Sequence, residues 1–117
     1  MKIVYYDLET TGLNWNRDAK LHHVGVQIVS IGAYFKRDEK KFESYLIPTK
    51  PIDPDATKVN GMSLNSDGDL VRNGSVVKDA LELKSGLQYF ISFLKDEVIR
   101  KQDEQVILVS YFNSFFF

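Results

Sequence analysis

MKIVYYDLETTGL, residues Met1 to Leu13, is the stretch on which the reading of the whole chain turns. Four apolar residues, Ile3 to Tyr6, run directly into two acids, Asp7 and Glu9, and then into Thr10, Thr11 and Gly12. In a β-strand successive side chains leave on opposite faces. The spacing therefore predicts Asp7 and Glu9 on one face with Ile3 and Tyr5 behind them, and Val4, Tyr6 and Leu8 on the other. Two carboxylates converging at a strand end repel each other, which raises one pKa or destabilises the strand unless a cation sits between them. Oxygen ligands of this kind suit a hard divalent ion, Mg²⁺ or Mn²⁺. On pattern alone the alternative is a solvated strand exit followed by a polar turn.

Composition bounds what surrounds this strand. With 117 residues, 44% hydrophobic and 13% aromatic, the chain can build one modest core, so a single domain over 1–117 is expected. A charged fraction of 26% and a net charge of −1 describe a globular protein without the strong basic excess of a nucleic-acid-coating domain. No cysteine is present, which excludes disulfides, thiolate metal sites and a cysteine nucleophile. The acids from Asp7 onward interrupt any secretory apolar segment, and no apolar run approaches a membrane span. The expectation is no membrane partner and a cytoplasmic or nuclear location.

Outward from the first strand, Asn14 to His23 reads as a polar loop beside the acids, and the adjacent His22-His23 as its lead-in to the next strand rather than as ligands. Val24 to Phe35 predicts a buried strand, Lys36 to Lys41 a solvated tip, and Phe42 to Ile47 the returning arm of an antiparallel hairpin. Pro48, Pro51 and Pro54 enforce an irregular segment. A short helix over 55–60, ended by Gly61, fits the glycine C-cap. Asn65 to Ser75, rich in glycine, asparagine and aspartate, reads as a mobile surface loop. Leu83, Leu87, Phe90, Leu94 and Val98 predict an amphipathic helix within Ser75 to Gln102, with Tyr89, Phe90 and Phe93 packing into the core. Val106 to Tyr111 reads as a central strand covered on both faces, after which the chain runs to Phe115-Phe116-Phe117.

Tyr5 to Leu13, YYDLETTGL, is similar without a gap to the first motif of the DEDD, or DnaQ-like, exonucleases, in the version typical of three-prime repair exonucleases. A looser likeness covers 55–62, which resembles that family's small helix and glycine turn beside the bound nucleotide. The resemblance implies an α/β fold with a ribonuclease H-like mixed sheet. It implies Asp7 and Glu9 as catalytic, metal-holding residues with Mg²⁺ or Mn²⁺. It also implies that the turn Thr10, Thr11, Gly12 and Leu13 receives the 3′ end of single-stranded DNA or RNA, with Leu13 against the terminal base. A rival pattern, the Asp-x-Asp-x-Thr of haloacid dehalogenase-like phosphatases, departs at Glu9 and requires a helical crossover where this chain has a hairpin.

The resemblance also has a gap. The family's second motif needs a histidine and, a few residues on, an aspartate. Phe112 stands at the histidine position, and if Asn113 matches the motif's asparagine the aspartate falls on or just beyond Phe117. The third motif, a histidine base and a last aspartate, has no counterpart. The likeness thus covers a C-terminally incomplete domain. It implies a weak or inactive nuclease, or alternatively a non-catalytic remnant that binds nucleic acid or protein. The apolar run from Val106 to Phe117 adds an expectation of self-association through the C-terminal strand.

Overall fold

The computed structural model describes residues 1–12, 27–101 and 104–110. Leu13, the pair His22-His23 and the segment 111–117, on which expectations were placed above, lie outside the described residues. β1 (Lys2–Thr10) lies between β2 (Ile28–Phe35), to which it is antiparallel, and β7 (Val106–Ser110), to which it is parallel. β3 (Lys40–Tyr45) adds antiparallel to β2, giving a mixed four-stranded sheet in the order β3-β2-β1-β7. The chain is a mixed α/β structure, as expected.

The hairpin forms because β2 alternates strictly, burying Val29, Ile31, Ala33 and Phe35 and turning Ser30, Gly32 and Tyr34 outward. A single 3₁₀ turn, Lys36–Asp38, closes the tip, with Glu39 in the left-handed region at φ 53°. α1 (Pro54–Asn60) begins where the Asp53 side chain accepts from the Asp55 N–H at 2.8 Å and Pro54 takes the first turn; it ends at Gly61, φ 73°. α2 (Leu83–Phe93) continues through one wider π-type turn to Val98 and packs on the face of the sheet that carries Val4. Val4, Ala33, Phe35, Phe93 and Val98 form this core, with Phe42 against Phe90 and Phe93 at ring separations of 5.5 and 5.6 Å.

Three expectations are corrected. The segment 65–75 is not simply a loop. β4 (Met62–Leu64), β5 (Leu70–Arg72) and β6 (Ser75–Val76) form a second antiparallel sheet, because Leu70 is buried with Met62 and Val29 in a second core. Tyr89 is 61% exposed and does not join the core, since the buried stripe of α2 centres on Gly86 and Phe93 rather than on Leu83. β7 is an edge strand among the described residues rather than a doubly covered one, and Ile107, Leu108 and Val109 are exposed.

Lys2, at the start of β1, is buried, and its Nζ donates to the Val98 carbonyl at 2.5 Å while pairing with Glu104. The Lys2 hydrogen bond, with its charge, holds the Glu104 carboxyl below its ordinary value of 4.5. A depressed carboxylate contributes stability that is complete above the unfolded pKa and is lost as pH falls through the folded one. Glu104→Gln is therefore expected to lower the melting temperature at neutral pH, with the difference closing in acid. A pH-independent loss would assign the effect to packing.

Candidate active site

β1 delivers Asp7 and Glu9 to the sheet face opposite α2, as the alternation requires, with Ile3 and Tyr5 exposed behind them. Pairing then fixes what surrounds the acids. Asp7 lies opposite Gly32 and Glu9 opposite Ser30 on β2; Gly32 in turn lies opposite Glu43, and Ser30 opposite Tyr45, on β3. Residues directly opposite share a face, so Glu43 and Tyr45 stand on the same surface as the two acids. With no side chain at Gly32, the floor between Asp7 and Glu43 is bare backbone.

These residues, together with Asn60, Met62 and Arg72, line a cleft of about 200 Å³. Its far wall comes from α1 and the second sheet. The Asn60 amide donates to the Thr10 carbonyl at 3.2 Å and its oxygen accepts from the Met62 N–H at 2.9 Å, so one side chain ties the end of β1 to the turn after α1. Arg72 donates to the Tyr45 hydroxyl, and its guanidinium carbon lies 5.5 Å from the centre of that ring. Burial, followed by a hydrogen bond to Glu43, keeps the Tyr45 phenol above its usual pKa.

Both acids are harder to ionise than free carboxylic acids. Burial raises Asp7, against a hydrogen bond from the Leu8 backbone; burial and then the charge of Asp7 raise Glu9, against the neighbouring Asn60 amide and Arg72. A cleft in which two carboxylates repel and are partly desolvated favours a cation, and its oxygen donors fit Mg²⁺ or Mn²⁺. Among the described residues no group of three or more His, Cys, Asp and Glu side chains converges as a ligand set, so Asp7 and Glu9 would leave most positions of an octahedral ion to water or substrate.

The turn after β1 is built differently from its acids. The Thr11 hydroxyl is buried and accepts from the Gln27 N–H at 3.0 Å, and the Thr11 backbone bonds Gln27 and Asp53, so Thr11 locks the turn to its neighbours. Thr10 Oγ1 donates to the Gly12 carbonyl at 2.8 Å. A Cβ at Gly12 would meet Asp53 Cβ at an ordinary 3.7 Å, so the position is small without being crowded. Glu43, Tyr45, Asn60 and Arg72 do not stand out in the sequence. The alternation of Glu43 and Tyr45 in the returning arm could place the first two, given the hairpin register.

A mixed α/β sheet with paired acids at the end of its central strand is the class of protein that the geometry defines. No family profile matches the chain. It is similar, at 36% identity over 64 residues, to DNA polymerase III subunit epsilon of Pasteurella multocida (strain Pm70). That alignment covers 51% of this chain and 24% of the relative, so the match spans about a quarter of the relative's length. Among the described residues no helix is long and apolar enough to cross a membrane.

Proposed function

We propose that this chain carries a site of the DnaQ-like exonuclease kind on a ribonuclease H-like sheet, related to the epsilon-type relative and directed at 3′ ends of single-stranded DNA or RNA. The observation that carries the reading is the delivery of Asp7 and Glu9, from the central strand, into a cleft walled by Asn60 and Arg72. Asp7 and Glu9 would hold Mg²⁺ or Mn²⁺, which would polarise a phosphoryl oxygen and lower the pKa of bound water. The chain's own residues orient the strand: Thr11 fixes the turn, Asn60 fixes the end of β1, and the stretch from Thr10 to Leu13 is the part of the chain that a terminal nucleotide would meet.

Hydrolysis by two ions needs more carboxylates than this pair, and a positioned base as well. Since Asp7 and Glu9 gather no third such ligand among the described residues, slow turnover, or binding without turnover, is the expected behaviour. The test is a labelled single strand incubated with Mn²⁺ or Mg²⁺ and either wild-type protein or Asp7→Ala. Metal-dependent binding, with at most slow shortening from the 3′ end that Asp7→Ala abolishes, is expected. Fast turnover lost in Asp7→Ala would show that further ligands complete the site. Neither binding nor shortening by the wild type would end the nuclease reading.

A further inference from the structure

Among the described residues one cation lines the cleft, Arg72, exposed at its wall on an elaborately built turn. Arg72 is the last residue of β5, and the two residues after it, Asn73 and Gly74, both have positive φ, 49° and 87°. Two consecutive left-handed residues make the tight hairpin turn that suits the twist of paired strands, and they fix Arg72 opposite Ser75 on one side and Met62 on the other. The turn is anchored in its own right: the Asn73 N–H donates to the Gly61 carbonyl at 2.9 Å, and a Cβ at Gly61 would lie 2.1 Å from Asn73 Oδ1. Gly61, at φ 73°, takes the left-handed conformation that favours glycine where the end of α1 meets the turn. The backbone that carries Arg72 is therefore locked to the same α1–β4 junction from which Asn60 reaches the end of β1.

The guanidinium itself is held by a phenol, not by a carboxylate. It donates to Tyr45 Oη and lies over the Tyr45 ring. Yet the cleft offers Asp7, Glu9 and Glu43, and Arg72 forms an ion pair with no carboxylate among the described residues. A neutral hydrogen bond and a ring face fix a guanidinium in place without cancelling its charge. Among the described residues that hydrogen bond leaves four of its five N–H donors for another acceptor. An anion entering a cleft lined by three acids meets repulsion, and a cation fixed at its wall offsets that repulsion directionally.

We propose that Arg72 is a phosphate-binding residue, positioned by Tyr45, that takes an oxygen of a phosphodiester lying across the cleft beside Asp7 and Glu9. This rests on the nuclease reading for the identity of the anion. Arg72 supplies the fork geometry and the charge; Tyr45 supplies its orientation.

The test measures binding of a short labelled oligothymidylate by fluorescence anisotropy across a salt series, with Ca²⁺ as the divalent ion. Arg72→Gln is expected to weaken binding about tenfold and to reduce the slope of log affinity against log salt by about 0.7, the signature of one lost phosphate contact on a single strand. Arg72→Lys should keep the slope, since the charge remains, and lose part of the affinity with the fork. Tyr45→Phe should weaken binding a few-fold at unchanged slope. If Arg72→Gln does not fold, Arg72→Lys and Tyr45→Phe carry the decision, and wild-type affinity in both would overturn the assignment. Wild-type affinity and slope in folded Arg72→Gln, with binding intact in the parent, overturns the role of Arg72 alone. No binding by the parent overturns the nuclease reading and this assignment with it.

Discussion

Gly86→Leu is expected to leave the protein largely unfolded, and Gly86→Ala to lower its stability by about 1–2 kcal/mol. Gly86 is the point at which α2 meets Leu46. A Cβ built there lies 2.0 Å from Leu46 Cδ2 and 3.3 Å from its Cγ. Leu46 has little room to retreat: it is fully buried, its N–H donates to the Val29 carbonyl at 2.9 Å, and the neighbouring Ile47 N–H donates to Leu81 at 2.8 Å. Alanine gains about 1 kcal/mol over glycine in a helix interior, but overpacking a closed core costs about 1–3 kcal/mol, and a contact this short against a side chain with no room falls in the upper part of that range, so the overlap outweighs the propensity. A urea midpoint measures the balance. Leu46→Ala alone should cost about 2–5 kcal/mol by opening a cavity. The double variant Gly86→Ala/Leu46→Ala should cost less than the sum, because each change relieves the other. An unchanged midpoint in Gly86→Ala would show that α2 stands further from Leu46 than the contact implies.

That contact shows where the sequence is legible and where it is not. Periodicity finds α2, and the Leu83-to-Val98 stripe lies close to the true face. It misplaces the centre of that face, however, because a glycine contributes nothing to a hydrophobic pattern while marking the place where the helix backbone meets Leu46. The period-2 rule gives the faces of β1 correctly, and with them the shared orientation of Asp7 and Glu9. The second sheet escapes the sequence for a different reason. Its strands are two or three residues long, too short for any periodicity, and the polar residues around Asn73-Gly74 make that turn look like part of a loop. The far wall of the cleft is lost with that sheet. Arg72, Asn60 and Tyr45 reach the acids only through strand register and the packing of α1, neither of which a linear pattern contains.

Asp7→Asn and Glu9→Gln are expected to move stability in opposite directions according to whether a divalent ion is present. In the metal-free protein both carboxyls have pKa values raised above their ordinary 3.8 and 4.5, chiefly by burial and, for Glu9, next by the charge of Asp7. A carboxyl raised on folding contributes stability that is complete below the unfolded pKa and is lost as pH rises through the folded one. At neutral pH each wild-type acid therefore opposes folding. Replacing either with its amide should raise the metal-free melting temperature by about 2 °C, a modest figure because both groups are only half-buried. Below pH 3.8 the gain should vanish. With Mn²⁺ the order reverses. An ion that binds the folded state alone stabilises the wild type by mass action, about 2.7 kcal/mol at a hundredfold excess over Kd, whereas each variant has lost a ligand and gains little. Thermal melts of the three proteins from acid to neutral pH, with Mn²⁺ or with chelator, read both effects in one set of samples. A variant stabilised without metal and unresponsive to it is the expected result. If all three proteins respond alike to Mn²⁺, the ion binds elsewhere and Asp7 and Glu9 are merely the charged end of a strand. If the variants are instead less stable than wild type in chelator, the two carboxylates are satisfied by the fold itself and need no cation.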